Sequence, residues 1–181
     1  MNVYKDETMK EQIIKRMQFD NPWWVSGSIP NDYKSMQHRL YLDTFMPMVA
    51  DVSTRRGVIL MGPRRVGKTV MIFHTIEELI KNGVPAQKII YLSIDTPIYN
   101  NISLEDLLQF ARESLKQSDA SMDGYFVFYD EIQYLKDWEI HLKSLIDSYR
   151  NIKFVASGSA AAALKMKSTE SGAGRFTDFM L

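Results

Sequence analysis

Gly62-Pro63-Arg64-Arg65-Val66-Gly67-Lys68-Thr69 separates an apolar run, Gly57-Val58-Ile59-Leu60-Met61, from a helical one, Val70-Met71-Ile72-Phe73 with Ile76, Leu79 and Ile80. The spacing GxxxxGK[ST] constrains the fold more than any other feature of the chain. It is useful only where a buried strand delivers a glycine turn to the start of a helix, because backbone N–H groups then converge in front of the helix's positive end. A loop of this kind wraps the phosphates of a nucleotide. Its glycines let the backbone bend inward, Lys68 reaches the β- and γ-phosphates, and Thr69 offers its hydroxyl to Mg²⁺. The expected nucleotide-binding set is therefore Gly62, Pro63, Arg64, Arg65, Val66, Gly67, Lys68, Thr69 and Val70.

A second feature supplies what such a loop needs for hydrolysis. Phe126-Val127-Phe128-Tyr129 is a bulky run that ends in Asp130-Glu131. A buried strand holds a carboxylate at its C-terminal end with little freedom, so Asp130 is placed to hold Mg²⁺ through the ion's water shell. Glu131, one residue further out, is placed to polarise an attacking water as a general base. Beside the phosphate loop, the pair reads as the metal and catalytic half of one centre. Ser157, at the end of a later strand, would lie level with Asp130 in parallel register and could contact the γ-phosphate or orient the water. Arg175 follows a glycine-containing stretch and could supply transition-state charge to its own site or to a neighbour's. Gln133 and Trp138 could brace the loop leaving the acidic strand. His38, His74 and His141 have no mutual spacing that suggests a metal site.

The chain has 181 residues, with 22 basic and 22 acidic side chains and no cysteine. A balanced charge gives no reason to expect a nucleic-acid partner, and no apolar stretch approaches the length needed to span a bilayer. Absent thiols exclude disulfides and fit a reducing, cytoplasmic setting. Residues 1–55 read as a helical lead-in, with Met9, Ile13 and Met17 or Ile14 at the spacing of a docking helix, Trp23-Trp24 as a hydrophobic anchor or, less readily, a platform for stacking a base, and a second helix over Tyr33 to Val49. That second helix would carry Met36, Leu40, Phe45 and Met48, with Pro47 bending or ending it. Residues 56–181 alternate strand and helix, the pattern of a parallel sheet covered on both faces. The strands are expected near Val58 to Met61, Lys88 to Ile94, Tyr125 to Tyr129, Lys153 to Ala156 and Arg175 to Leu181, with a helix capped by Ser103 and a short alanine-rich helix from Ala160 to Lys165. Ending on an apolar strand suggests a natural protein that continues further.

Taken together, GPRRVGKT, YFVFYDEIQYLKDWE, FVASGSAAAAL and ESGAGRF resemble the ATP-binding domain of bacterial and archaeal ATPases of the AAA_14 family. The resemblance covers about Tyr33 to Leu181 and implies an α/β P-loop NTPase fold, a three-layer αβα sandwich with parallel strand order 5-1-4-3-2. It makes Ser157 the first sensor and Arg175 a candidate arginine finger or sensor. It implies ATP and Mg²⁺ as cofactors; adenine over guanine also agrees with the absence of a guanine-reading [NT]KxD motif. Members often carry a DUF4143 domain after this one, so a homo-oligomeric or protein partner would be engaged through that following region. The expected activity is Mg-dependent ATP hydrolysis. The alternative is an ATP-gated switch or scaffold with little turnover. A small-molecule kinase fits less well, because a base that activates water wastes ATP.

Overall fold

The computed structural model describes residues 3–116, 122–159 and 174–181. Its centre is a parallel sheet of β1 (Gly57–Met61), β2 (Ile89–Ser93), β3 (Phe126–Asp130), β4 (Lys153–Gly158) and β5 (Phe176–Met180), in the order β2-β3-β4-β1-β5. This is the expected 5-1-4-3-2 arrangement. Every residue of β1, β3 and β4 is buried. Continuous apolar runs rather than alternating ones are what a parallel sheet covered on both faces requires.

Helix α5 (Lys68–Lys81) connects β1 to β2, α6 (Leu104–Ser114) precedes β3, and α7 (Trp138–Ser148) joins β3 to β4. The chain crosses the sheet in one direction through α5 and in the other through α6 and α7, so right-handed crossovers put α5 on one face and α6 with α7 on the other. Ser103 caps α6, its hydroxyl accepting from the Asp106 N–H at 3.0 Å. Leu104, Leu107, Leu108 and Ala111 are buried, the face that their spacing predicts. The alanine-rich stretch from Ala160 to Lys165 lies outside the described residues.

The lead-in wraps one edge of the sheet. Helix α1 (Val3–Asp20) packs on α6 and buries Ile13 and Met17, whereas α3 (Asn31–Lys34) and α4 (Tyr41–Ala50) pack on α5 across the sheet. Between them, α2 (Trp23–Ser26) covers the β2 edge, and the indole N–H groups of Trp23 and Trp24 both donate to the Ile89 carbonyl, at 3.0 and 2.8 Å. Asn21 completes the closure. Its side-chain amide donates to the Tyr91 carbonyl at 2.8 Å and accepts from the Tyr91 N–H at 2.6 Å, as a neighbouring strand would. Asn21→Ala would leave both backbone groups buried and unpaired. We expect it to destabilise the protein by about 2–4 kcal/mol, read as a lower urea midpoint at unchanged slope.

The expected single helix over Tyr33 to Val49 is instead two, α3 and α4, with residues 35–40 between them. Met36 and Leu40, which that expected helix would carry, are 44% and 88% exposed. The intervening stretch crosses the start of α5 and places Arg39 against Gly67, so helical spacing there does not report burial. Phe45 and Val49 in α4 are buried, and the Phe45 ring meets Phe179 of β5 edge-on at 5.2 Å. Pro47 sits inside α4, which ends at Ala50.

Candidate functional site

β1 delivers the chain at Met61 into a turn that closes at Gly67, the residue before α5. Gly67 has φ 99°, a conformation that calls for glycine, and a Cβ there would stand 2.8 Å from Nη2 at the movable end of Arg39. Lys68, only 4% exposed, points back under the loop and donates to the carbonyls of Pro63 at 3.1 Å and Gly62 at 3.3 Å. Its Nζ lies 3.8 Å from Glu131 Oε1.

Insertion of β4 between β1 and β3 brings the remaining groups together. Tyr129 pairs with Ala156 and Leu60 with Ser157, so Asp130, Ser157 and the phosphate loop share one end of the sheet. The buried Asp130 carboxylate accepts from Thr69 Oγ1 at 2.7 Å, Tyr91 Oη at 2.9 Å, the Glu131 N–H at 3.1 Å and the Ser157 hydroxyl. Ser157 Oγ in turn accepts from the Glu131 N–H at 3.1 Å. With its lone pairs engaged by these donors, Asp130 is suited to hold a hydrated cation through Thr69 and water rather than by a direct bond.

Glu131 leaves β3 in a left-handed conformation, φ 53°, which side chains adopt at a cost of about 1–2 kcal/mol. Gln133 binds it: the amide nitrogen donates to Glu131 Oε2, while the amide oxygen accepts from the Ser159 N–H at 3.2 Å. The catalytic candidate is thus tied to the residue that follows β4. An open cleft of about 720 Å³ runs in front of these groups, lined by Thr69, Asp130, Glu131, Tyr91, Arg64 and Arg65 among others. Both arginines are exposed, and Arg64 Nη2 donates to Tyr134 Oη at 3.1 Å.

Arg175 is not brought to this centre. Its carbonyl accepts from the Gly57 N–H at the start of β1, and its side chain pairs with Asp147 at 2.7 Å. The phosphate loop leaves the other end of β1, roughly 13 Å along the strand. The reading of Arg175 as a residue of its own site is therefore corrected by geometry: parallel β5 starts where β1 starts. His38 and His74 face each other with ring centroids 4.2 Å apart, and His38 contacts Glu77 at 3.2 Å. Lys81 pairs with Glu77 and Glu78 beside them.

Sequence reasoning overlooked Tyr91. Its burial, reinforced by the Asp130 charge, holds the phenol well above its ordinary pKa, so it stays a proton donor to Asp130. Nothing in Ile89-Ile90-Tyr91-Leu92-Ser93 distinguishes it from a core aromatic; the pairing of Ser93 with Asp130 across β2 and β3 sets its reach.

The sheet order, the glycine loop at the head of α5 and the acidic end of β3 define a nucleotide-binding P-loop domain of the AAA type. The family model AAA_14, described as an AAA domain, matches residues 54–181, and the chain belongs to that family. It is similar to an uncharacterized protein of Methanocaldococcus jannaschii, 31% identical over 108 residues, covering 60% of this chain and 22% of that one. An uncharacterized protein of Haemophilus influenzae is 27% identical over 124 residues, covering 68% of this chain and 30% of its own length. The chain thus spans less than a third of the curated relatives it matches. Among solved structures, PCH-2 of Caenorhabditis elegans shares the fold, with TM-score 0.51 and 15% identity over 79% of this chain and 44% of that one. No described helix is long and apolar enough to cross a membrane.

Proposed function

We propose that this domain binds ATP with Mg²⁺ and hydrolyses it. The observation that carries the reading is the 2.7 Å hydrogen bond from Thr69 to Asp130, which joins the phosphate loop to the acidic strand, with Lys68 standing 3.8 Å from Glu131. Backbone N–H groups between Gly62 and Val70, Pro63 having none, hold the phosphates, and Lys68 exchanges its loop carbonyls for phosphate oxygens. Thr69 and Asp130 form a hard-oxygen donor set that suits Mg²⁺, which when bound neutralises charge on the phosphates. Glu131 takes the proton of the attacking water. Ser157 fixes the Glu131 backbone and Asp130 carboxylate, keeping base and metal donor in register. Tyr91 holds the other Asp130 oxygen. Arg175, far from its own chain's loop, serves a neighbouring copy if the protein assembles, with the arginine supplied in trans.

A second reading, an ATP-gated switch with little turnover, is favoured by one observation. Glu131 has one carboxylate oxygen held by Gln133 and the other facing Lys68, which keeps the base occupied. Gln133→Ala separates the two. If Gln133 orients a working base, the variant loses about tenfold to a hundredfold in single-turnover phosphate release with nucleotide affinity unchanged; if it restrains an idle one, turnover rises.

Phosphate release from Mg-ATP by the purified protein tests the main reading. Binding without turnover above that of a Glu131→Gln control would sink hydrolysis for this domain and leave the switch.

A further inference from the structure

The stretch joining α3 to α4 carries a cation that the site described above does not use. Arg39 is exposed, yet its guanidinium rests on the phosphate loop: a Cβ built on Gly67 would lie 2.8 Å from Nη2, 3.1 Å from Cζ and 3.2 Å from Nε. Among the described residues, no carboxylate pairs with it. Glu77 and Glu78, close to the adjoining His38, face Lys81, and Glu131 faces Lys68.

For the protein alone this is an unfavourable place for a guanidinium. Gly67 is the cap of α5, where the helix's positive end lies, and Lys68 adds a further charge one residue on. Apolar burial does not explain the position either, because Met36 and Leu40 beside it are exposed. An anion in the loop would reverse the balance. It would neutralise the crowded charge, and a phosphate's oxygens match the planar fork of an arginine.

We propose that Arg39 grips the nucleotide's polyphosphate from outside the loop, which makes the lead-in part of the nucleotide site and a reporter of its occupancy. The proposal rests on the nucleotide-binding reading given above. Amides at the Gly67 end of such a loop cradle the α- and β-phosphates, so Arg39 serves the portion that ATP and ADP share. Lys68 approaches from beneath and is buried, whereas Arg39 approaches from the lead-in, so the contributions are separable by mutation.

The test is titration of the whole chain with fluorescent ATP and ADP, comparing wild type with Arg39→Met, Arg39→Lys and Lys68→Ala at low and moderate salt. Arg39→Met keeps an apolar stem over Gly67 and removes only the charged fork. It should weaken ATP and ADP alike by about tenfold or more, with Arg39→Lys recovering part of the loss and the salt dependence becoming shallower. Without nucleotide its melting temperature should equal or exceed that of wild type, since a repulsive charge has gone. Arg39→Met binding both nucleotides within twofold of wild type overturns the proposal, as does a defect confined to melting temperature. If Lys68→Ala also binds normally, the nucleotide site itself fails; if it loses binding while Arg39→Met does not, only the Arg39 assignment falls.

Discussion

With Lys68 replaced by alanine, Mg-ATP affinity falls by about two to three powers of ten. The ammonium is almost wholly buried and held by the Gly62 and Pro63 carbonyls, so a bound phosphate receives a desolvated, charge-assisted donor. Removing one member of a buried, hydrogen-bonded charge pair costs about 3–5 kcal/mol, and each 1.4 kcal/mol is tenfold in binding. The fold should survive, because Glu131 keeps its Gln133 partner and the helix keeps its other contacts. Isothermal titration gives the affinity, and thermal melting without nucleotide supplies the folding control. An affinity within threefold of wild type would remove the phosphate loop from the function.

Glu131→Gln separates binding from chemistry. The variant keeps shape and a hydrogen-bonding oxygen but no longer accepts a proton, so turnover should fall by about a hundredfold to ten-thousandfold. Binding should hold or tighten, because Lys68 loses a carboxylate that competes with phosphate at 3.8 Å. Stopped-flow phosphate release beside equilibrium nucleotide binding reads both quantities. Turnover that persists within a few-fold of wild type would move the base elsewhere in the cleft.

Much of this arrangement is legible in residue order, for reasons that differ by element. Val58-Ile59-Leu60-Met61 and Phe126-Val127-Phe128-Tyr129 announce buried parallel strands because continuous apolar runs suit no half-exposed surface. Ser103 announces its helix because capping is local chemistry, and Trp23-Trp24 announces an anchor because large indoles need a covered surface. The placement of Ser157 beside Asp130 was of another kind. It came with the family resemblance, since apolar periodicity says nothing about which strand lies next to which.

The misread stretch shows the same boundary from the other side. Met36 and Leu40 stand one helical turn apart, but spacing tests one helix against one surface, and here the chain leaves helix to cross the head of α5. Arg175 follows a glycine-rich segment that looks able to reach the site. Its distance from the site follows from β5 starting beside Gly57, a pairing of strands far apart in the chain.

The octapeptide from Gly62 to Thr69 and the acids at 130 and 131 specify a glycine loop at the head of a helix and a buried strand ending in carboxylates, because each acts through backbone geometry within a few residues. Tertiary structure alone set Tyr91 on Asp130, Gln133 between Glu131 and Ser159, Asn21 on the β2 edge and Arg39 on Gly67. Each of these joins side chains to elements distant in the chain or to an exit loop. Such contacts depend on strand order and on the path of the lead-in, which no local pattern encodes.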